Sequence, residues 1–207
     1  MIRPPGFRGV AFSSARYGDL RHDLTARRSV AARLDIPDTW ATVNQAHGGV
    51  VVEAEDSGSQ GAADAIYIGR SGLPAAVFTA DCLAVVLEAD GGVGIAHAGW
   101  RGVVAGVVEN LRSAMEEAGW TLVRGAIGPG IGPCCFEVGP EVAVHFPANT
   151  STTTWGTVSV DLPAAVVAGL EGVDVWQAGV CTRCNDEFFS HRRDATPARM
   201  AGIVWLP

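Results

Sequence analysis

Short apolar runs, each broken after a few residues, are the main feature of the hydrophobic pattern along the chain. Between residues 50 and 87 these runs are rich in Val, Ile, Leu and Ala, and Gly, Pro, Ser and Asp separate them. Such a pattern is typical of strands joined by tight turns. We therefore predict strands in the segments VVVEA, AIYI, AAVF and LAVVLEA, and further strands in GGVGIAH, AIG, TVSV, VDVWQAG and AGIVWL.

Helical signals are fewer and are marked by recognisable ends. Residues 24–34 follow Asp23, a good N-cap residue, and carry apolar residues along one stripe. Residues 102–118 form the clearest helical pattern and are closed by Gly119. Shorter helices are predicted in the segments EVAVHF and DLPAAVVAGL, which begin with a proline and an aspartate cap respectively.

The order of these elements predicts an α+β fold with mixed β-sheets packed with helices. Strands outnumber helices, and regular crossover helices between strands are missing, which argues against a doubly wound parallel sheet. The polar segment 147–157 is predicted to be a flexible loop, but Trp155 and the strand that follows argue against a domain boundary there. We therefore treat residues 1–207 as a single compact domain.

Composition narrows the functional classes. The chain has 207 residues, is 48% hydrophobic and carries a formal net charge of -7, so it can bury a core and shows no excess of basic charge for nucleic acid. All 15 basic residues are Arg, which excludes enzymes that need a Schiff-base lysine and nucleotide-binding proteins that need a P-loop lysine.

No apolar run reaches the roughly 18 residues of a membrane span. Five cysteines without a secretory signal indicate reduced thiols, and we expect a cytoplasmic monomer without a membrane partner.

Three residues at predicted strand ends or turns are candidate metal ligands. His47, Cys82 and His97 lie in the segments NQAHG, TADC and HAGWRG. One thiolate and two imidazoles form a three-ligand zinc set that leaves the fourth position open, as in catalytic sites. The spacing leaves two alternatives: an ordinary buried thiol with loop histidines, or a metal-free hydrolase in which Cys82 is the nucleophile and either histidine the base.

The segment HAGWRG also suggests an anion site. A strand ends there, two glycines allow a tight turn, and a helix begins at once. The free N–H groups of a helix N-terminus, together with Arg101, would suit a phosphate beside the metal. The alternative is that Arg101 pairs with a surface carboxylate.

Two aspartates near the candidate ligands could also take part in the chemistry. Asp64 and Asp81 could each hold a substrate hydroxyl, orient a histidine or transfer a proton, although each could equally be a turn residue. Asp81 precedes Cys82 directly, so in an extended strand the two side chains would point to opposite faces. We therefore expect Asp81 to act in proton transfer or to accept a hydrogen bond from His97 or the substrate, and not to bind the metal.

Two other segments carry groups of reactive or charged residues. Cys181 and Cys184 have redox or zinc-knuckle spacing, but the sequence contains no second C-x-x-C, so we interpret them as structural. The glycine-rich loop GPGIGPCCFEVG could approach a ligand or be structural. The C-terminal segment FFSHRRDATPARM gathers arginines near a histidine and either lines an anion-binding cleft or is a solvated basic turn.

Taken in order, these motifs resemble those of one known family. The motifs are NQAHG, DA at residues 64 and 65, TADC, HAGWRG, IGPGIGPCCFEVG, CT at residues 181 and 182, and FFSHRRD followed by ARM. They are similar to the motifs of the YfiH/laccase-domain family, which is related to human FAMIN. Its members were once called multicopper polyphenol oxidases and are now regarded as purine nucleoside phosphorylases. The likeness extends from about residue 44 to the C-terminus.

The resemblance implies a set of functional properties. It makes His47, Cys82 and His97 zinc ligands, with copper as the alternative metal. It implies phosphorolysis of adenosine, inosine and methylthioadenosine with phosphate, together with adenosine deamination. We assign Asp81 and Arg101 to catalysis. We also assign substrate binding to three residues, Arg28, Asp64 and Arg193. The N-terminal part departs from the family pattern, and Arg16 is the alternative to Arg28 there.

Other functions remain as alternatives. Some bacterial members of the family are described as peptidoglycan precursor editing factors, and a non-catalytic partner role in that process is a further possibility. A copper-dependent polyphenol oxidase, or laccase, needs several copper centres, and the five histidines are too few to supply them. A metal-free cysteine hydrolase would be distinguished from a zinc enzyme by a metal assay.

Overall fold

Thirteen strands and six α-helices make up the structure, a computed structural model that describes residues 1–207. The strands are β1 (Val10–Phe12), β2 (Ala41–Asn44), β3 (Val51–Glu53), β4 (Gly58–Ala62), β5 (Ala65–Ile68), β6 (Ala75–Thr79), β7 (Leu83–Ala89), β8 (Val93–Ala98), β9 (Leu122–Ile127), β10 (Thr150–Thr152), β11 (Val158–Val160), β12 (Val175–Gln177) and β13 (Met200–Val204). The helices are α1 (Leu24–Leu34), α2 (Trp100–Val104), α3 (Val107–Glu117), α4 (Pro140–Ala143), α5 (Leu162–Gly169) and α6 (His191–Asp194).

The strands form two large mixed sheets and one small hairpin. A five-stranded sheet has the order β1-β13-β6-β2-β4, and a six-stranded sheet has the order β12-β9-β7-β8-β5-β3. Both contain parallel and antiparallel neighbours. The predicted α+β fold with mixed sheets and helices is therefore confirmed.

Burial on both faces of the central strands explains their continuous apolar runs. In β7, Ala84 and Val86 face a core between the two sheets, whereas Leu83, Val85 and Leu87 face a core shared with α3 and α5. Strand β6 alternates in the same way between the inter-sheet core and a third core against α1. The layers are therefore α1, the five-stranded sheet, the six-stranded sheet, and α3 with α5.

The predicted helix over residues 102–118 is wrong in one respect, because it is interrupted. Helix α2 ends at Val104, Gly106 takes a left-handed backbone conformation with φ of 73°, and α3 begins at Val107. Glycine tolerates this conformation without steric cost, so the chain turns there. In contrast, the predicted helix over 24–34 is confirmed, and Asp23 caps it by accepting hydrogen bonds from the N–H groups of Thr25 and Ala26.

The segment 147–157 is more ordered than the polar sequence suggested. Thr150–Thr152 forms β10 and pairs antiparallel with β11, so the predicted flexible loop is largely a hairpin. Thr is favourable in strands, which outweighs the polar character of the segment. As to membranes, the structure contains no helix with the length and apolar character required to span a bilayer.

Candidate metal centre

His47, Cys82 and His97 converge at one end of the two sheets. The ligand atoms of these three side chains, two imidazole nitrogens and one sulfur, all lie within 4.8 Å of one another. The two imidazole rings meet edge to face, with centroids 4.8 Å apart and an interplanar angle of 76°. The structure therefore brings together the three residues that were predicted to be metal ligands.

The register of β7 against β8 brings Cys82 to His97. In this antiparallel pair Leu83 lies opposite Ala98, and Ala84 lies opposite His97. Residues directly opposite each other share a face, and so do residues two apart in an extended strand. Cys82 stands two residues before Ala84, so its side chain is directed to the face that carries His97.

His47 reaches the group from the other sheet and is held by Asp64. It follows β2 and has a left-handed backbone, with φ of 61°. The N–H groups of Ala46, His47 and Gly48 donate to the Asp64 carboxylate at 3.1, 2.9 and 2.7 Å. These three hydrogen bonds fix the loop that carries the imidazole.

Asp64 also orients His97. Its Oδ1 accepts a hydrogen bond from Nδ1 of His97 at 2.8 Å, which leaves Nε2 free to face the sulfur and the other imidazole. Burial disfavours the ionised carboxylate, but the hydrogen bonds from His97 and from the 46–48 loop outweigh it and hold the pKa of Asp64 below its ordinary value. We expected Asp64 to bind substrate; the residue is instead 1% exposed, and its oxygens contact protein groups.

Cys82 and His97 each favour the charged form of the other in the protein without a cation. Burial disfavours the thiolate, but hydrogen bonds from His47 and His97 outweigh this effect and lower the pKa of Cys82 to about 6. Burial also disfavours the imidazolium of His97, yet Asp64 and Cys82 raise its pKa to about 9. The group therefore stabilises a positive charge beside the sulfur, and a metal cation can take the place of the proton.

The shape and chemistry of the group fit a zinc ion. A Cβ atom added at Gly99 would lie 3.0 Å from the Sγ atom of Cys82 and 3.1 Å from Cδ2 of His47, so glycine keeps the space beside the ligands open. One thiolate and two imidazoles are a known catalytic zinc set with an open fourth position. The Cys82 thiolate and the Asp64 carboxylate together balance a charge of 2+.

Two cavities share His47 and Cys82 of the ligand group as a common wall, and His97 lines only the second of them. The first, which we call the apolar cavity, has a volume of about 210 Å³, and the second, the polar cavity, about 220 Å³. The apolar cavity is lined by Trp100, Ile131, Phe136, Leu162, Asp81, Arg101, His191 and Arg192, among others. The polar cavity is lined by Arg21, Gln45, Phe78, His97, His191 and Arg199, among others. His47 and Cys82 line both, so two reactants can approach the ligand group from different sides.

Asp81 lies on the wall of the apolar cavity but away from His97. Strand β6 ends at Thr79, and Asp81 has a left-handed backbone with φ of 85°, so the extended strand that we assumed breaks before Cys82. The carboxylate accepts hydrogen bonds from the Thr182 hydroxyl at 2.6 Å and the Arg192 N–H at 2.7 Å. The hydrogen bond to His97 that we considered for Asp81 belongs to Asp64 instead.

Arg101 lies at the mouth of the apolar cavity with an unpaired guanidinium. The group lies 4.4 Å from the ring centre of Trp100 and makes neither an ion pair nor a hydrogen bond. The alternative in which Arg101 pairs with a surface carboxylate is therefore not what the structure shows. Arg192 lines the same cavity, but its guanidinium donates to the carbonyl oxygen of Glu137 at 2.9 Å, so Arg101 is the arginine of this cavity whose guanidinium has no protein partner.

The structure does not bring Arg28 or Arg193 to either cavity. Arg28 is exposed on α1 and pairs with Asp38, with Nε 3.1 Å from a carboxylate oxygen. Arg193 donates to the carbonyl oxygens of Thr182 and Phe188 at 2.9 and 2.8 Å and so fixes its own loop. Both side chains are occupied by protein contacts.

Other residues of the C-terminal segment FFSHRRDATPARM do line the cavities, as the alternative of an anion-binding cleft required. These residues are His191, Arg192 and Arg199.

Several cavity residues were missed from the sequence. Trp100 was noted only as part of HAGWRG, yet it forms a wall of the apolar cavity, and His145 stacks on its ring at 6.2 Å. Arg21 lines the polar cavity from the segment before α1. Thr182 contacts Asp81 from 101 residues further along the chain. Two signals could have been used: Trp100 lies inside HAGWRG, and Thr182 belongs to the CT motif at residues 181 and 182.

A two-sheet α+β domain with a thiolate and two imidazoles at the strand ends defines a metal-associated class of protein. Residues 7–207 match the family described as multi-copper polyphenol oxidoreductase laccase, and the chain belongs to that family. The resemblance to the YfiH/laccase-domain family is thereby confirmed.

Individual relatives carry more specific names. A purine nucleoside phosphorylase of Streptomyces coelicolor is 39% identical over 205 residues, which cover 91% of this chain and 85% of the relative. The purine nucleoside phosphorylase YfiH of Escherichia coli is 36% identical, with 87% and 79% covered. The crystal structure of the hypothetical protein YfiH of Bacillus licheniformis superposes with a TM-score of 0.81 at 25% identity and covers 99% of this chain and 88% of that one.

Proposed function

We propose that this chain is a zinc-dependent purine nucleoside phosphorylase that acts on adenosine, inosine and methylthioadenosine and also deaminates adenosine. The observation that carries the proposal is the Cys82, His47 and His97 group, in which His47 and Cys82 form the common wall of an apolar and a polar cavity and His97 lines the polar one. Each cavity is smaller than the roughly 300–1,000 Å³ of a typical ligand pocket, so two adjoining cavities suit a nucleoside and a second small reactant. The names of the relatives support the same reaction.

The apolar cavity suits a purine base. Trp100 and Phe136 supply aromatic surface, and Ile131 and Leu162 supply aliphatic surface. Stacking of a base on an aromatic side chain contributes about 1–3 kcal/mol. A base bound there would place its ribose near the common wall, beside Asp81.

Arg101 is our candidate for holding phosphate. Its guanidinium is free of protein partners and can form the two parallel hydrogen bonds that arginine makes with phosphate oxygens. Arg21 and Arg199 on the polar cavity are the competing positions. Arg199 already donates to the carbonyl oxygens of Thr196 and Ala198, which makes Arg21 the stronger competitor.

Zinc held by His47, Cys82 and His97 would supply a Lewis acid that polarises an oxygen of the attacking reactant. In phosphorolysis a phosphate oxygen bonds to the anomeric carbon of ribose, the bond to the purine nitrogen breaks, and that nitrogen takes a proton. In deamination water adds to the purine ring and ammonia leaves. Asp81 is the carboxyl group on the cavity wall, and we assign proton transfer or substrate orientation to it.

Substitution of Arg101 tests the assignment of the phosphate site. We expect Arg101→Ala to lower kcat/KM for phosphorolysis of inosine by roughly 10- to 100-fold, through a higher KM for phosphate, because a charged hydrogen-bond partner is lost. Adenosine deamination, which needs no anion, should change by less than about twofold. Product analysis separates ribose 1-phosphate from ammonia release.

Arg21→Ala is the matched control for that experiment. If phosphate binds in the polar cavity, the Arg21 variant will raise the KM for phosphate and the Arg101 variant will not. Equal losses of both activities in Arg101→Ala would mean that the residue is structural. Zinc-loaded protein that cleaves none of the three nucleosides in the presence of phosphate would refute the proposed function itself.

A laccase is the weaker candidate, although the family description names one. Only two of the five histidines belong to the ligand group. His22 pairs with Asp19 on the surface, His145 stacks on Trp100, and His191 is the one further histidine that lines the cavities beside the group. The histidines that a cluster of coppers requires are therefore not assembled.

A further inference from the structure

Four of the five cysteines converge in a second group that shares no residue with the candidate metal centre. Cys134, Cys135, Cys181 and Cys184 have all their sulfur atoms within 4.8 Å of one another. Sγ of Cys184 lies 3.2 Å from Sγ of Cys135 and 3.6 Å from Sγ of Cys134. The C-x-x-C pair, which has no second such motif in the sequence, is therefore completed by an adjacent Cys-Cys pair.

The parallel pairing of β9 with β12 brings the two pairs together. Beyond the strands the pairing continues as a bridge between Gly130 and Cys181. The N–H of Gly130 donates to the carbonyl of Val180 at 3.3 Å, and the N–H of Thr182 donates to the carbonyl of Gly130 at 2.9 Å. Both loops are thus fixed by the backbone, and the convergence of the four thiols does not depend on flexible side chains alone.

Hydrogen-bond donors surround two of the sulfur atoms. The N–H of Gly132 donates to Sγ of Cys181 at 3.2 Å, and the guanidinium of Arg183 donates to Sγ of Cys135 at 3.5 Å. N–H groups directed at the first sulfur of a C-x-x-C turn stabilise a thiolate, which is the form that binds a metal.

The remaining thiols cannot all ionise without a cation. Four negative charges within this space would repel one another strongly. A bound divalent cation removes that repulsion and allows every sulfur to contribute.

We propose that Cys134, Cys135, Cys181 and Cys184 bind a zinc ion as four thiolate ligands. Zinc–sulfur bonds of about 2.3 Å in a tetrahedron place the sulfur atoms about 3.8 Å apart. The observed separations begin at 3.2 Å and do not exceed 4.8 Å. Because the four sulfurs fill every tetrahedral position, the ion has a structural role: it joins the glycine-rich loop to the C-terminal segment that carries His191 and Arg192. Binding releases the thiol protons to solvent.

Zinc analysis of matched variants tests this site independently of the enzyme activity. Wild-type protein purified under reducing conditions is expected to hold about two zinc ions per chain, and Cys82→Ala and Cys184→Ser about one each. Cys184 is exposed, so the serine variant is expected to fold; its circular dichroism spectrum checks this. Cobalt(II) added to metal-free Cys82→Ala should give the strong absorption bands of a tetrahedral tetrathiolate complex.

Two results would overturn the proposal. The first is folded Cys82→Ala protein that holds no zinc and gives no thiolate bands with cobalt. The second is the formation of one or two disulfides in zinc-supplied wild-type protein. Each disulfide would lower the intact mass, measured without reductant, by two hydrogens relative to the fully reduced chain. Should the Cys184→Ser variant fail to fold, the cobalt spectrum of Cys82→Ala and this mass still decide.

Discussion

Replacement of Asp64 by Asn should weaken both the fold and the candidate metal centre, because one buried carboxylate fixes two of the candidate metal ligands. The carboxylate is 1% exposed and accepts four hydrogen bonds, two on each oxygen. An Asn side chain has the same shape but presents an NH₂ donor in place of one oxygen. In either orientation of the amide, two donors lose their acceptor. At about 1–3 kcal/mol for each unsatisfied buried donor, the free energy of unfolding should fall by roughly 2–6 kcal/mol.

The effect on the metal follows from the same contacts. Asp64 orients His97 and holds the loop of His47, and loss of such a partner typically lowers metal affinity by about 10- to 100-fold. Urea unfolding of the metal-free protein measures the first effect, and competition with a chelator measures the second. Asp56→Asn is the control, because its exposed carboxylate makes no hydrogen bond or ion pair. An Asp64→Asn protein with the wild-type unfolding free energy and zinc affinity would refute the reasoning.

Three further variants test Cys82 as a metal ligand, Gly99 as the residue that keeps space beside the ligands, and Asp81 as the group that transfers a proton. Cys82→Ala should lose one zinc equivalent and both activities, measured by elemental analysis and product assays; zinc retained at the wild-type level would remove Cys82 from the ligand set. Gly99→Ala should lower zinc affinity by about tenfold, since its Cβ crowds Cys82 and His47; an unchanged affinity in chelator competition would contradict this. Asp81→Asn should keep its zinc but lose turnover by roughly 10²-fold. Full turnover would make Asp81 a structural residue, and loss of zinc would make it a ligand.

The fold was predictable wherever strands are long and apolar. The runs of β6, β7 and β8 stand out because both faces of these strands are buried. Strand β4 escaped detection because Gly58–Ala62 is mostly exposed and pairs along one edge of its sheet. The break between α2 and α3 was missed because the apolar stripe continues across Gly106, and only the backbone conformation reveals the turn.

The candidate site was predictable in its ligands but not in their support. Residue type and motif indicated His47, Cys82 and His97, whereas the position of Asp64 depends on strand register. Ala65 lies opposite Ala96, which sets Asp64 beside His97. From the sequence alone, Asp64 and Asp81 are equally good candidates for the carboxylate that accepts a hydrogen bond from His97. In the same way, the partners of Arg193 are backbone carbonyls of its own loop, and these carry no sequence signal.

The three candidate metal ligands come from both layers of the fold, and this has a consequence for the order of assembly. His47 follows a strand of one sheet, His97 belongs to the other, and Cys82 lies on the connection between them. Neither sheet alone can present the three donors, so a metal ion that needs all three would bind only after the sheets have docked. Once bound, the ion would crosslink the layers and slow their separation. Metal loading of newly made chains would then report whether the interior has closed correctly.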